Sequence, residues 1–226
     1  MPTVGELYRD IGVAIGDPNN AKAKRWQLLT WINIVLQDAA RMTDCLQTAS
    51  TTVTGDGTAE SFDITTGDDV LTRLHRIISV TDATNGVTYL PVKRRDWNAA
   101  RINIVTNSIT DRHIYNLFGY DANMILSILP VVVTAVDITV EHSQLHATLT
   151  TVNSSPSGLL NDDPLIVIKG VERLYWDFVG DKEKSQLAFE EYMQRATLIA
   201  QEVGINPEIK PEMSQLFRRA ADVNSG

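Results

Sequence analysis

An α+β fold is predicted for this chain, and three observations predict it. Helical patterns occupy both ends of the sequence. Strand patterns rich in Thr, Ser and Val fill the middle. The order helices, strands, helices brings sequence-distant helices together. The expected architecture is a helical bundle from N- and C-terminal helices, with an inserted antiparallel β module and an extended C-terminal arm. The boundaries read from composition are 1–47 for the N-terminal helices and 48–142 for the β-rich module. A linker covers 143–161, a helical hairpin 162–203 and the arm 204–226.

The first helix is short, with Val4, Leu7, Tyr8, Ile11 and Ile15 on one face. Gly16-Asp17-Pro18-Asn19-Asn20 stops it, because each of these residues favours a turn. A longer helix is predicted from Ala21 to Leu46, with Leu28, Trp31, Ile32, Val35, Ala39, Met42 and Leu46 as its stripe. Trp26 and Ile34 widen that apolar surface, so more than one neighbour is expected to pack on it. Lys22, Lys24 and Arg25 sit in its first turns, the wrong end for cations in the field of a helix dipole. Two readings stand: a solvated basic patch, or a contact with an acidic partner or a neighbouring subunit.

From Thr48 turn residues and strand-like runs multiply. Thr51 to Thr54 and Ser61 to Ile64 flank Gly55-Asp56-Gly57, which predicts a hairpin. Leu74 to Val80 and Val87 to Val92 predict a second hairpin, with Asn85-Gly86 at its turn. Lys93-Arg94-Arg95-Asp96-Trp97 reads as a basic, irregular connection. Ile102 to Val105, His113 to Phe118, Met124 to Leu129 and Val136 to His142 are further strands. In the last, Val136, Ile138 and Val140 alternate with Asp137, Thr139 and Glu141 as a half-buried strand requires. Ser143 to Asn161 reads as an exposed connection.

The closing hairpin is the most strongly signalled part. Asp163 caps a helix and Pro164 suits its first position, where no N–H is needed. Val167, Val171, Leu174, Tyr175 and Phe178 follow at helical spacing. Gly180 ends that helix and Asp181 caps the next. The second helix carries Phe189, Tyr192, Met193, Ala196, Ile199, Ala200 and Val203 on one stripe. Lys182, Glu183, Lys184, Glu190 and Glu191 lie on its other face. Gly204-Ile205-Asn206-Pro207 ends regular structure. The 204–226 segment could span about 75–80 Å if fully extended and has a weak amphipathic piece at Met213, Leu216, Phe217 and Ala220.

Composition narrows the function classes. A net charge of −8 argues against wholesale nucleic-acid binding, which needs clustered Lys and Arg. The single cysteine, Cys45, excludes an internal disulfide framework and is expected to be a buried structural thiol. No signal-peptide pattern opens the sequence, and no apolar run approaches the ~20 residues that span a bilayer. A soluble protein with no membrane association is expected, made in the cytoplasm.

Catalytic signals are sparse. His142 and His146 have the i, i+4 spacing of a metal-binding pair, but that spacing chelates only on a helix. Asp56, Asp68 and Asp69 lack the alternating ligands and distal Glu of a calcium loop. No nucleophile elbow, phosphate-binding loop or dinucleotide fingerprint occurs. Trp26, Trp31, Trp97 and Trp176 read as packing anchors. Only Trp97 adjoins a basic cluster, which makes Lys93, Arg94 and Arg95 a candidate nucleic-acid or subunit contact. No cofactor or metal is expected.

Three groups of residues carry a resemblance. They are Trp26 to Asn33; the passage Met124 to Pro130 followed by Val136 to Glu141; and Leu160 to Pro164 with Lys169 to Phe178 and Ser185 to Ala200. In type and order they resemble the tailed-bacteriophage head-to-tail adaptors, the connector proteins whose rings dock beneath the portal. His142, where an aromatic such as Tyr is expected, and the long segment before Asn161 depart from that pattern.

The resemblance implies a structural virion protein at the head–tail interface and no catalysis. It implies a ring, of twelve subunits to match the portal, with tail or nozzle proteins below. DNA would pass through the lumen without sequence-specific binding. It implies that the arm docks on the portal protein, through Ile205, Pro207, Ile209, Met213, Leu216, Phe217, Arg218 and Arg219. The candidate subunit or nucleic-acid contacts are then Lys22, Lys24, Arg25, Lys93, Arg94 and Arg95. The alternatives are another head-completion or tail-interface protein, or a small β-rich enzyme in which His142, Glu141 or another polar group converges on a pocket.

Overall fold

A computed structural model describes residues 2–19, 21–54, 61–63, 73–82, 84–118, 124–130 and 137–204. Among them the fold is α+β, with six helices and two small sheets. The chain divides into a helical unit, Met1–Leu46 with Gln144–Gly226, and a β unit, Gln47–Ser143.

The helical unit begins with α1 (Val4–Ala14), whose N-terminus is closed by a capping box. The Glu6 amide donates to Thr3 Oγ1 at 3.3 Å, and the Thr3 amide donates to Glu6 Oε2 at 2.7 Å. Helix α2 runs Arg25–Thr43, shorter at both ends than the sequence predicts. Asp17 accounts for the late start. Its carboxylate accepts the amides of Ala21, Lys22 and Ala23 at 2.9, 2.7 and 3.0 Å, which holds those residues in a turn. Lys22 therefore lies outside the helix, Lys24 is its N-cap and Arg25 its first residue.

The C-terminal helices match their signals closely. A single turn, α4 (Leu159–Asp162), precedes α5 (Pro164–Val179) and α6 (Lys182–Val203). Asp163 accepts the Leu165 amide and Asp181 the Lys184 amide, while Gly180 closes α5 at φ 88°. One continuous core joins Leu7 and Ile11 of α1, Ile32 and Leu36 of α2, Val167 and Val171 of α5, and Tyr192 and Ile199 of α6. Helices α2 and α5 approach closely because Gly170 has no side chain. A Cβ built there would stand 2.5 Å from Val35 Cγ1.

The 143–161 segment is not the exposed connection expected. Ser143, His146, Leu149, Pro156, Leu160 and Asn161 are buried. Asn33 on α2 holds it from both sides, accepting the Leu149 amide at 2.7 Å and donating to the Leu149 carbonyl at 3.0 Å. The first α1 amides add two bonds, Val4 to Ser154 at 2.8 Å and Gly5 to Val152 at 2.9 Å. Backbone groups that composition assigns to water are satisfied by protein instead.

The β unit holds two four-stranded sheets. In the first, the order is β1 (Gln47–Thr54), β8 (Asp137–Gln144), β3 (Leu74–Asp82), β4 (Val87–Thr88). In the second it is β2 (Ser61–Asp63), β7 (Ile125–Leu129), β6 (Ile114–Phe118), β5 (Leu90–Pro91). The expected β1–β2 hairpin is therefore absent: β1 pairs with β8 and β2 with β7. Gly55-Asp56-Gly57 lies outside the described residues. The Asn-Gly hairpin does form. Asp82 accepts the amides of Thr84 and Asn85, and Gly86 takes φ 66° between β3 and β4.

The predicted strand Val87 to Val92 changes sheets at its middle. Tyr89 donates to Val80, but Leu90 donates to His113 and Val92 to Tyr115. The resulting β5–β6 pair is parallel, so the second sheet is mixed rather than purely antiparallel.

The largest correction is Lys93 to Val105. Arg94–Thr106 is a helix, α3, rather than a basic loop followed by a strand. The β-branched run Ile102 to Val105 suggests a strand locally. Trp97, Ala100 and Ile104 nevertheless recur at helical spacing and pack with Ile114 and Leu129. Tertiary burial overrides local propensity here.

Candidate interaction surfaces

Polar ties first fix which faces of the helical hairpin are committed internally. Lys169 on α5 reaches Glu172 and Glu191, each at 2.9 Å, and Arg195 on α6 lies 3.6 Å from Asp163. Burial disfavours the Lys169 ammonium, but the hydrogen bonds it donates to Glu172 and Glu191 outweigh it and raise its pKa. Arg173, largely buried, pairs with Asp177 at 3.3 Å and lies over the Phe189 ring. Deeper in, the Tyr192 hydroxyl donates to Asp38 at 2.8 Å, joining α6 to α2 through two fully buried side chains. Burial, then the Asp38 charge, pushes the phenol far above its ordinary range.

Lys182, Glu183, Lys184, Glu190 and Glu191 are exposed on α6 as its spacing predicts. Leu187 and Leu198 share that outward side, 55% and 49% exposed. Sequence reading passed over them. The signal was available in the 183, 187, 190, 194, 198 spacing, which lies opposite the Phe189, Tyr192, Ala196 stripe.

Lys22, Lys24 and Arg25 are all exposed at the start of α2, and no acidic residue occupies its first turn. Trp26 beside them is 66% exposed, so it is not the packing anchor its type suggests. Phe178, assigned to the buried stripe of α5, is 68% exposed and touches the half-buried Trp31. An open cleft of about 320 Å³ lies next to this basic end, walled by Tyr8, Arg9, Pro18 and Arg25. Burial raises the Tyr8 pKa, and the Arg25 charge partly offsets it. Arg9 is already engaged by Asp10 at 2.9 Å.

In the β unit, Lys93, Arg94 and Arg95 cluster at the N-terminus of α3 and all are exposed. The Arg94 guanidinium lies 5.6 Å over the Phe118 ring, and Arg95 meets Asp96 at 3.4 Å. Trp97 is buried and stands nearly perpendicular to the Phe118 ring at 5.9 Å, so its burial leaves no face for base stacking. The arm residues Ile205, Pro207, Ile209, Met213, Leu216, Phe217, Arg218 and Arg219 lie outside the described residues.

Glu141 and His142 do not converge on one pocket. Glu141 and His142 are neighbours on β8 and point to opposite faces. Glu141 is exposed and accepts from Ser79 at 2.7 Å, while His142 is buried. His146 lies outside any helix, so the chelating i, i+4 geometry is not realised. Its Nε2 accepts the Ser157 amide at 2.9 Å and its Nδ1 faces the Ala147 carbonyl at 2.6 Å, which fixes the neutral Nδ1–H tautomer. Among the described residues no three metal-ligating side chains come together. Burial pushes the Cys45 thiol up to about 11, which removes it as a nucleophile near neutral pH. No described helix is long and apolar enough to cross a membrane.

A family model described as SU10 adaptor protein matches residues 2–211. No curated protein matches the chain.

Proposed function

Because the chain belongs to the SU10 adaptor protein family, a phage head–tail adaptor family, we propose that it forms the adaptor ring between portal and tail, with a central DNA passage. The match over residues 2–211 carries this reading, since it takes in both units and the start of the C-terminal segment. An adaptor family implies a structural role in the virion rather than a catalytic one. The chain's own chemistry agrees in kind: exposed apolar side chains such as Trp26, Phe178, Leu187 and Leu198 lie on helix surfaces, where protein partners dock.

In this proposal twelve copies match the portal. Residues 204–226 dock on the portal protein through Ile205, Pro207, Ile209 and the Met213 to Arg219 segment, and tail proteins bind below. Several arms engaging one ring would add avidity to individually weak contacts. The net charge of −8 suits a lumen through which DNA slides without being held.

The test is co-sedimentation with purified portal. The full chain is expected to bind at one copy per portal subunit. Deletion of 204–226 is expected to leave the helical circular dichroism unchanged and to abolish binding. A truncated protein that still sediments with portal at full stoichiometry overturns the arm assignment. Failure of the full chain to bind overturns the portal assignment.

A further inference from the structure

Helix α6 has an outward face that is apolar and acidic together. Glu183, Leu187, Glu190 and Leu198 recur within one stripe of the helix, opposite the side that packs into the core. About half of each leucine is in water. Gln186 donates to Glu190 at 3.0 Å, yet neither Glu183 nor Glu190 enters an ion pair among the described residues. Leu187 and Leu198 lie three turns apart on the same side of α6, so both can be covered by a surface laid along the helix.

The start of α2 has the opposite character. Trp26 is two-thirds exposed, and Lys22, Lys24 and Arg25 precede it in sequence. These cations also form no ion pair among the described residues. Aromatic and cationic side chains at the centre of a surface are the types that dominate binding energy when they become covered. Both faces belong to the helical unit but to different helices, and within one chain they do not pair with each other.

We propose that the two faces meet between neighbouring copies. Leu187 and Leu198 of one copy cover Trp26 of the next, and Glu183 and Glu190 face Lys24 and Arg25. The contact rests on the ring reading above and supplies its subunit interface. Charge complementarity selects a second copy as the occupant, because the same chain carries both halves of the match. The contact is heterologous, so it repeats head to tail and closes into a ring if the rotation closes. Nucleic acid is the weaker candidate for the basic face: it gives the leucines on α6 nothing to bury against, and the chain is acidic overall.

Charge reversal tests this in the full chain. One variant carries Lys24→Glu with Arg25→Glu, and the other Glu183→Lys with Glu190→Lys. Sedimentation velocity is run on each variant alone, on their mixture and on the wild type, with circular dichroism as a check of folding. Each variant alone is expected to self-associate about tenfold or more weakly than the wild type. The mixture is expected to recover association, because every interface in it again joins opposite charges. Trp26→Ala is expected to weaken association without any change of charge.

Folded variants that associate as well as the wild type overturn this interface and leave the ring reading standing. Loss in both variants without recovery in the mixture also overturns the pairing. If the Arg25 variant still associates but loses retardation of duplex DNA, the basic face belongs to nucleic acid and the proposal fails. A wild type that stays monomeric alone and on its portal removes the ring reading itself.

Discussion

The two units of this chain solve the problem of burial differently. In the helical unit five helices converge on one continuous core, which runs from Val4 to Ile199. Among the described residues of the β unit the buried hydrophobic side chains fall into two clusters, one around Leu126, Ile128 and Val140, the other around Trp97, Ile104 and Leu129. The cause lies in periodicity. A helix can turn several rows of side chains toward different neighbours, whereas a strand offers only alternate residues to each face. Strands of two to five residues, such as β2, β4, β5, β6 and β7, contribute few of these. Stability is therefore expected to be pooled in the helical unit and local in the β unit.

Paired core truncations give the largest effect and the most direct way to break that contrast. Leu36 and Leu126 are both fully buried, one in each unit. Leu36→Ala and Leu126→Ala are each expected to cost about 2–5 kcal/mol. The distinguishing observable is where amide exchange accelerates. Leu36→Ala is expected to speed exchange throughout α2, α5 and α6. Leu126→Ala is expected to speed it in β6 and β7 and to leave those helices protected. Equal acceleration in both units by either substitution would mean that the chain unfolds as one body.

A smaller effect sharpens the helical half of the comparison. Gly170 lets α5 approach α2, and the space its Cβ would need is filled by Val35. Gly170→Ala is expected to destabilise by about 1–3 kcal/mol, despite the better helix propensity of alanine. Adding Val35→Ala is expected to recover part of the loss, measured as the midpoint of urea denaturation. If Gly170→Ala raises the midpoint, the close approach is not limiting and propensity wins.

The same contrast explains what could be read from the sequence. Asp163-Pro164, Gly180 and Asp181 mark α5 and α6 because capping is chemistry within a few residues, and the structure places those caps where the residues predict. The late start of α2 depends on Asp17 collecting three amides four to six residues away, which composition does not reveal. The β unit was harder for a physical reason. Its pairings β1–β8 and β2–β7 join distant segments, and β1 and β2 carry no signal saying which partner each will take. Helix α3 was missed because Ile102 to Val105 is locally strand-like, while Trp97, Ala100 and Ile104 fix the helix only through their burial. At the candidate surfaces, the cations were legible from charge alone. The exposure of Trp26 and the outward leucines of α6 were not, because residue type says inside where the fold puts them outside.

The smallest expected effect is a pH dependence confined to the β unit. His142 is buried on β8, and its Nδ1 lies 3.4 Å from the Val140 carbonyl. Burial disfavours the imidazolium and lowers its pKa, and the weak bond to Val140 opposes this without reversing it. The unfolded chain, with histidine near its ordinary value of about 6.5, therefore binds the proton more readily than the native state. Stability from this residue is complete above that value and falls as pH drops through the lower, native value. The limiting slope for one such group is about 1.4 kcal/mol per pH unit. His142→Gln is expected to be less stable than the wild type at pH 7.5, because it disturbs a packed position. It is also expected to flatten the decline toward pH 5 in the exchange of β1 and β8 amides. The α5 and α6 amides serve as the internal control, since His142 belongs to the other unit. An undiminished acid slope in the β1 and β8 amides of the variant would assign the titration to another group and remove His142 as its cause.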